Sequence, residues 1–458
     1  MVSSADSDGD AADIQKKERV KARWGLLRQA LLGNDTTNCN TSNKNDKGRF
    51  SNEHSMNSFP GFKVLDRTIL PRNSNDDENN DIDDNWDIVQ YSYTTTNGHT
   101  IKFQTREAKE QQPTNEQKST IQSRVEALLS HRTHGVDNTG NVRVWDAEGI
   151  LAGFLLSTML NGGDSTVLEL DEQTDAHLSD LRNSLHSILN IEDGSTEDQT
   201  TCNVLELGAG QAGLAGLALA SAASTCTSNC TEGSTITTKP LHVVLTDGHP
   251  KCVENNKVCA KMLSKSSDSR ASQSIDTHLL LWDSSSKGRD ACNETNNLVK
   301  REASQKKSTD EGQYQLCLVS DCLHFQEYHD GLLLTIARTL KVNGIALLCQ
   351  PRRGTSLQNF MTLVDAVNEK AMQQTEDSTN QSANNGPIFQ MTLYEHFYPK
   401  VSEMHKSLIL SEETTNDTKQ CTSLYNPNWH QPLLLVLQKL RPYSEEVDGE
   451  VARQHIRL

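Results

Sequence analysis

From residue 204 onward, short apolar runs alternate with amphipathic stretches. VLEL (204–207), HVVLTD (242–247), LLLW (279–282), YQLCLVSD (314–321) and GIALLCQ (344–350) read as buried strands. The spacing predicts helices over 211–222, 249–263, 330–341 and 356–372, and IFQMTLYEHF (388–397) and PLLLVLQK (432–439) read as two closing strands. Repeated strand–helix units imply a mostly parallel α/β sheet covered on both faces. Such sheets bind ligands at the carboxyl ends of their strands.

Upstream the pattern is more broken. Val20, Trp24, Leu27 and Leu31 stand at helical spacing within 15–33. GFKVLDRTIL (61–70) suggests a short strand, 86–93 and 99–104 alternate as a hairpin does, and helices are expected at 115–131 and, after a Gly/Asn turn, at 146–160. Polar tracts at 34–58 and 73–84 carry too few apolar residues to order themselves. Polar inserts at 223–239, 264–276, 284–311, 373–386 and 411–424 fall between core elements, where extra length is cheap. The expected organisation is an N-terminal helical segment (1–33), a low-complexity region (34–84), an N-terminal cap of hairpin and helices (85–160), a core (161–440) and a tail (441–458).

Composition narrows the function. Apolar residues make up only 34% of the chain, and 44 basic against 61 acidic side chains leave a net charge of −17. So acidic a chain is a poor partner for nucleic-acid phosphates. The eleven cysteines follow no metal or disulfide spacing, so free thiols and no metal are expected. The first twenty residues lack a signal peptide's apolar core, and Leu433 to Leu437 is too short an aliphatic run to span a bilayer. A soluble, cytoplasmic monomer is expected, with the nucleus as a further compartment.

The most informative segment is VLELGAGQAGLAG (204–216), where a buried strand runs into Gly208, Ala209, Gly210 and Gly213 and a helix follows at once. Glycines there permit a tight turn and close approach of a ligand to the backbone. The spacing fits a dinucleotide site. However, Glu206 lies two residues before Gly208, and an anion there opposes a pyrophosphate while suiting a cationic sulfonium ligand with an amino group. S-adenosylmethionine is therefore the favoured ligand. The next strand ends in Asp247, suited to ribose hydroxyls in either case. An ordinary turn, with Glu206 capping the helix, is the structural alternative.

Seven segments, read together, carry a resemblance: ARWGLLRQAL (22–31), NTGNVRVWDAEGILA (138–152), VLELGAGQAGLAGLALA (204–220), VLTDGHPKCVENN (244–256), SDCLHFQEY (320–328), QPRRGTSLQNF (350–360) and HQPLLLVLQK (430–439). In this order they resemble the calmodulin-lysine N-methyltransferases, within the protein-lysine methyltransferases of seven-strand class I fold. The resemblance implies a Rossmann-like class I methyltransferase fold with an antiparallel closing strand and an N-terminal extension, S-adenosylmethionine as cosubstrate, and calmodulin as protein substrate. It implies that Gly208, Ala209 and Gly210 line the methionine part, that Asp247 binds the ribose, that Trp282 flanks the adenine, that Ser320 sits beside the adenine or the sulfur, and that Trp145 closes over the cofactor. Trp145 and Trp282 could equally be core aromatics.

Asp321, His324 and Phe325 are candidates for the substrate-lysine channel, with Tyr328, Tyr394 and Tyr398 behind them. The family commonly has an aromatic ring where this chain has His324, and Phe325 could substitute. Asp321 could instead cap a helix. Arg352 and Arg353, with Lys341, are placed near the rim of the site facing acidic groups of the substrate. For Arg353 an internal pairing with a carboxylate is an equal alternative. Direct methyl transfer needs a neutral lysine amine, favoured by desolvation and proximity.

Overall fold

The computed structural model describes residues 61–71, 85–109, 144–160, 172–190, 201–228, 238–266, 273–300, 312–376, 386–414 and 425–443. The helices expected at 15–33 and 115–131, and the tracts at 34–58 and 73–84, lie outside them.

In chain order the elements are β1 (Asp66–Ile69), β2 (Trp86–Thr94), β3 (Thr100–Ala108), α1 (Asp146–Leu160), α2 (Glu172–Leu189), β4 (Cys202–Leu207), α3 (Leu214–Ser228), β5 (Leu241–Asp247), α4 (Pro250–Ser266), β6 (Ser274–Leu279), α5 (Ser286–Lys300), β7 (Tyr314–Ser320), α6 (His329–Thr339), β8 (Leu340–Gln350), α7 (Ser356–Glu376), β9 (Phe389–Tyr394), α8 (Pro399–Thr414), α9 (Pro427–His430) and β10 (Leu433–Lys439). Seven strands form one sheet in the order β6-β5-β4-β7-β8-β10-β9. The ladders from β6 to β8 are parallel, and β10 runs antiparallel to both β8 and β9. This is the Rossmann-like sheet with an antiparallel closing strand that the resemblance implies.

The central strands are buried on both faces, as a helix-covered parallel sheet requires: every residue of β5 is buried. α1 is apolar on all sides, and all but three of its fifteen residues are buried. It packs against α3 and touches β7 and β8. The Ala- and Gly-rich sequence of α3 lets the two helices approach closely. The expected hairpin forms as β2–β3, and β1 adds a third antiparallel strand. β3 lies on α3 and α4, where the Ser221 hydroxyl donates to the Lys102 carbonyl.

Four expectations need correction. The third parallel strand is not 279–282 but β6, five residues earlier; as the edge of the sheet it carries polar residues and ends on an exposed Leu279, while 280–282 form a loop in which Leu281 is exposed. The insert 284–311 contains α5, whose Cys292, Thr295 and Asn296 are buried against the core. A helix at 172–189 was not expected, although Leu178, Leu181, Leu185 and Leu189 recur at helical spacing and are all buried. α8 was also missed; it begins on Pro399, a residue suited to the first helical position.

Candidate functional site

The carboxyl ends of β4, β5 and β7 and the N-terminus of α1 meet at one place. After β4 the chain turns through Gly208, Gly210 and Gly213, with φ of 67°, 57° and 55°. At Gly208 the need for glycine is spatial as well: a Cβ would lie 2.6 Å from Cys322 Sγ and 3.1 Å from the Trp282 ring. Trp282 thus packs over the loop from beyond the end of β6, and Cys322 from beyond β7.

Asp247 holds the loop in shape. Its Oδ2 accepts the Gly210 N–H at 2.9 Å and its Oδ1 the His249 N–H at 2.7 Å. The Ala209 N–H donates to the Thr246 carbonyl at 2.8 Å, and Asn256 Nδ2 donates to the Gly210 carbonyl at 3.1 Å. Asn255 Nδ2 donates to the carbonyls of Gln211 and Arg106, joining the loop to β3. Burial pushes the Asp247 carboxyl up to about 6 despite these donors. Asn255 and Asn256 were not candidates from the sequence; their signal was the Asn pair that follows Asp247 on the next helix, in the segment ending VENN.

Glu206 is 1% exposed, and its Oε2 accepts the Gly216 N–H in the first turn of α3 at 2.8 Å. It therefore does cap a helix, as the structural alternative held, but only with one oxygen; Oε1 is buried without a partner. Burial pushes this carboxyl up to about 7. Ser320 Oγ and Trp282 Nε1 are likewise buried without hydrogen-bond partners. Buried polar atoms are nearly always paired, so such a cluster beside a glycine loop is where a polar ligand fits. Together with the space enforced at Gly208, these atoms suit a nucleoside bearing an amino-acid tail.

A family model described as lysine methyltransferase matches residues 126–367, just over half of the 458-residue chain, from before α1 through Asp321 and Arg353 into α7. This chain belongs to the lysine methyltransferase family. Among solved structures it is similar to an S-adenosylmethionine-dependent methyltransferase from Methanosarcina mazei (11% identity, 52% of this chain and 92% of that one, TM-score 0.25). It is also similar to a branched-chain polyamine synthase from Thermus thermophilus (13% identity, 66% of each chain, TM-score 0.31). Likenesses that faint carry no argument about substrate.

The other sequence candidates divide. Asp321, just past β7, has φ of +53° and pairs through both oxygens with Arg353, whose Nε donates to Oδ1 at 2.9 Å. Arg353 also adopts positive φ, +47°, and its guanidinium lies 5.5 Å from the centre of the Trp145 ring. Burial alone would lower the Arg353 pKa, but the charge and hydrogen bonds of Asp321 outweigh it and the net shift is upward. The internal pairing left open for Arg353 is the one found. Asp321 does not cap a helix through its side chain.

The loop after Asp321 is pinned at Leu323. Its N–H donates to Gln350 Oε1 at 3.1 Å, and its carbonyl accepts from Ser356 Oγ and lies 3.0 Å from His329 Nε2. His324 and Phe325 then meet edge to face at 4.8 Å, and Phe325 meets Tyr328 at 6.2 Å. These three rings form a connected aromatic group next to Asp321.

The remaining candidates sit elsewhere. Tyr398 is buried, its ring 6.4 Å from Phe154 and its side chain hydrogen-bonded to Tyr93. Tyr394 donates to the His177 carbonyl. Arg352 pairs with Glu395 on the surface. Lys341, the second residue of β8, is at the opposite end of an eleven-residue strand from Arg352, roughly 30 Å away at ~3.3 Å per residue, so it does not belong to the rim. Among the described residues no helix is long and apolar enough to cross a membrane.

Proposed function

We propose that this chain is an S-adenosylmethionine-dependent protein-lysine N-methyltransferase acting on calmodulin. The observation that supports it most is the glycine loop after β4, with Gly208 kept free of any side chain beneath Trp282 and Asp247 bound to the Gly210 N–H. The substrate rests on the segments that resemble the calmodulin-lysine enzymes, above all LTDG (245–248) and PRRGTSLQNF (351–360).

S-adenosylmethionine would supply an electrophilic methyl group at its sulfonium. Gly208, Ala209, Gly210 and Gly213 would receive the methionine part, Asp247 the ribose, Trp282 and Ser320 the adenine side, with Trp145 closing from α1. Asp321, His324 and Phe325 would line the channel for the lysine. Because Arg353 already neutralises Asp321, that carboxylate can orient an amine without raising its pKa, which leaves the nucleophile free to lose its proton. The aromatic rings of His324, Phe325 and Tyr328 would exclude water and, through their faces, tolerate a methylated ammonium.

The test is incubation with radiolabelled S-adenosylmethionine and unmethylated calmodulin, beside an Asp247→Ala control. Label on calmodulin that is lost in the control is expected. Label only on other proteins of a cell extract would move the substrate to, for example, an elongation factor or chaperone. No label anywhere, with cofactor still bound, would mean an inactive methyltransferase-like module.

A further inference from the structure

The three-stranded sheet β1–β3 precedes residues 126–367, the stretch shared with the family, and none of its residues was a candidate for the site. Yet its last strand ends against the glycine loop. The Ala108 N–H donates to Gln211 Oε1 at 3.2 Å, and the Arg106 N–H donates to Cys259 Sγ on α4 at 3.3 Å. Gln211 follows Gly210 directly, so β3 holds the loop one residue from the amide that Asp247 engages.

Asn255, on α4 and 3% exposed, closes the joint. Its Nδ2 donates to the Gln211 carbonyl at 2.5 Å and to the Arg106 carbonyl at 2.6 Å. An amide nitrogen has two hydrogens, so this one is fully used, one bond to the loop and one to β3. The next residue, Asn256, holds the Gly210 carbonyl. Asn256 fixes the loop to α4; Asn255 fixes it relative to the sheet as well.

The far side of β3 is anchored too. Glu107 is buried and accepts from Tyr91 Oη at 2.7 Å and from Arg67 Nη2 at 2.9 Å, a cluster that runs from β1 across β2 to β3. The end of β3 therefore moves with the whole sheet. If it withdrew, the Arg106 carbonyl and the Gln211 side chain would lose their partners, a cost that keeps the joint closed.

We infer that Asn255 is a positioning residue for the cosubstrate: it sets the loop from Gly208 to Gln211 against β3 and so makes the three-stranded sheet part of the cofactor site. This rests on the reading that the glycine loop binds S-adenosylmethionine. Asn255 acts through the Gln211 carbonyl. By reciprocity, a bound cosubstrate holds the end of β3 in place.

Calorimetric titration of the full chain with S-adenosylhomocysteine, well below the unfolding temperature, tests this. Asn255→Leu keeps the volume and removes both donated bonds. It is expected to weaken binding about tenfold, the order of one buried hydrogen bond. Val367→Ala, in the separate apolar core around α7, is the control: it lowers the melting temperature and is expected to leave the affinity unchanged. Unchanged affinity in Asn255→Leu overturns the inference. So does an equal loss in both variants, because lost stability would then explain it. Should Asn255→Leu not fold, hydrogen exchange of the wild-type protein decides. S-adenosylhomocysteine is expected to slow the Arg106 and Ala108 amides at least about tenfold more than those of β10, and equal slowing sinks the coupling. A wild-type protein that binds no S-adenosylhomocysteine overturns the cosubstrate reading and this inference with it; binding that is indifferent to Asn255 overturns the inference alone.

Discussion

Two corners at the carboxyl ends of the parallel strands each hold an aspartate with a covered side chain, and they are built in opposite ways. Asp247, the last residue of β5, is satisfied by backbone N–H groups of Gly210 and His249. Asp321, after β7, is satisfied by the guanidinium of Arg353, thirty-two residues further along the chain. The first corner uses the turn itself as its donor, so it needs glycines and an acid at a strand end. The second uses a charge pair and two residues in the left-handed region, Asp321 and Arg353, and such backbone strain persists only where the surroundings enforce it.

Breaking the side-chain corner carries the largest expected effect. Arg353→Met leaves a buried carboxylate unpaired, which costs about 3–5 kcal/mol in urea unfolding. Adding Asp321→Asn should recover at least about 1 kcal/mol of that, because the two changes act on one interaction. A loss below about 1 kcal/mol for the single variant would remove the contrast between the corners.

The backbone-built corner is expected to show itself in pH dependence. The Glu206 carboxyl rises from 4.5 in the open chain to about 7 in the fold, and Asp247 from 3.8 to about 6. A raised acid binds its proton more tightly when folded, so its contribution to stability falls as pH rises from about 4.5 to about 7. Glu206→Gln should remove roughly 2–3 kcal/mol of this decline across that window, read from unfolding at pH 5 and pH 8. An unchanged slope would mean that Glu206 stays ionised throughout.

Gly208→Ala comes next, at about 2 kcal/mol, from a Cβ 2.6 Å from Cys322 Sγ and a φ of +67°. The melting temperature should fall by several degrees, and Cys322→Ala in the same chain should restore part of it. If the second change restores nothing, the cost lies in the backbone angle alone. The smallest effect is expected at Arg352→Ala, below about 0.5 kcal/mol, since its partner Glu395 is as exposed as Arg352 itself. That neighbouring arginines should differ several-fold is the sharpest form of the comparison.

Much of the fold was legible, because a buried parallel strand is an apolar run and β4, β5, β7, β8 and β10 are such runs. Elements at the margins were not. β6 is polar because it is an edge, and α5 presents most of its polar residues outward, so neither has the composition of a core element. α2 has a clear leucine period, but it lies amid a long polar stretch. In the site, the glycines, Glu206 and Asp247 stood out because their roles depend on neighbours within a few residues or on the next strand end. Asn255 did not stand out, since an asparagine on a helix is ordinary until its amide is seen to hold the loop and β3 at once.

The sequence by itself determined the alternation of strands and helices, the turn after β4 and the acids that close it, because periodicity and left-handed turns are properties of short stretches of chain. Only the tertiary structure decided that Arg353 turns inward while Arg352 turns out, that Lys341 lies at the far end of its strand, and that Tyr398 packs in the core. Each of those depends on which surfaces the folded layers bring together, and adjacent residues of one type carry no local mark of which will be buried.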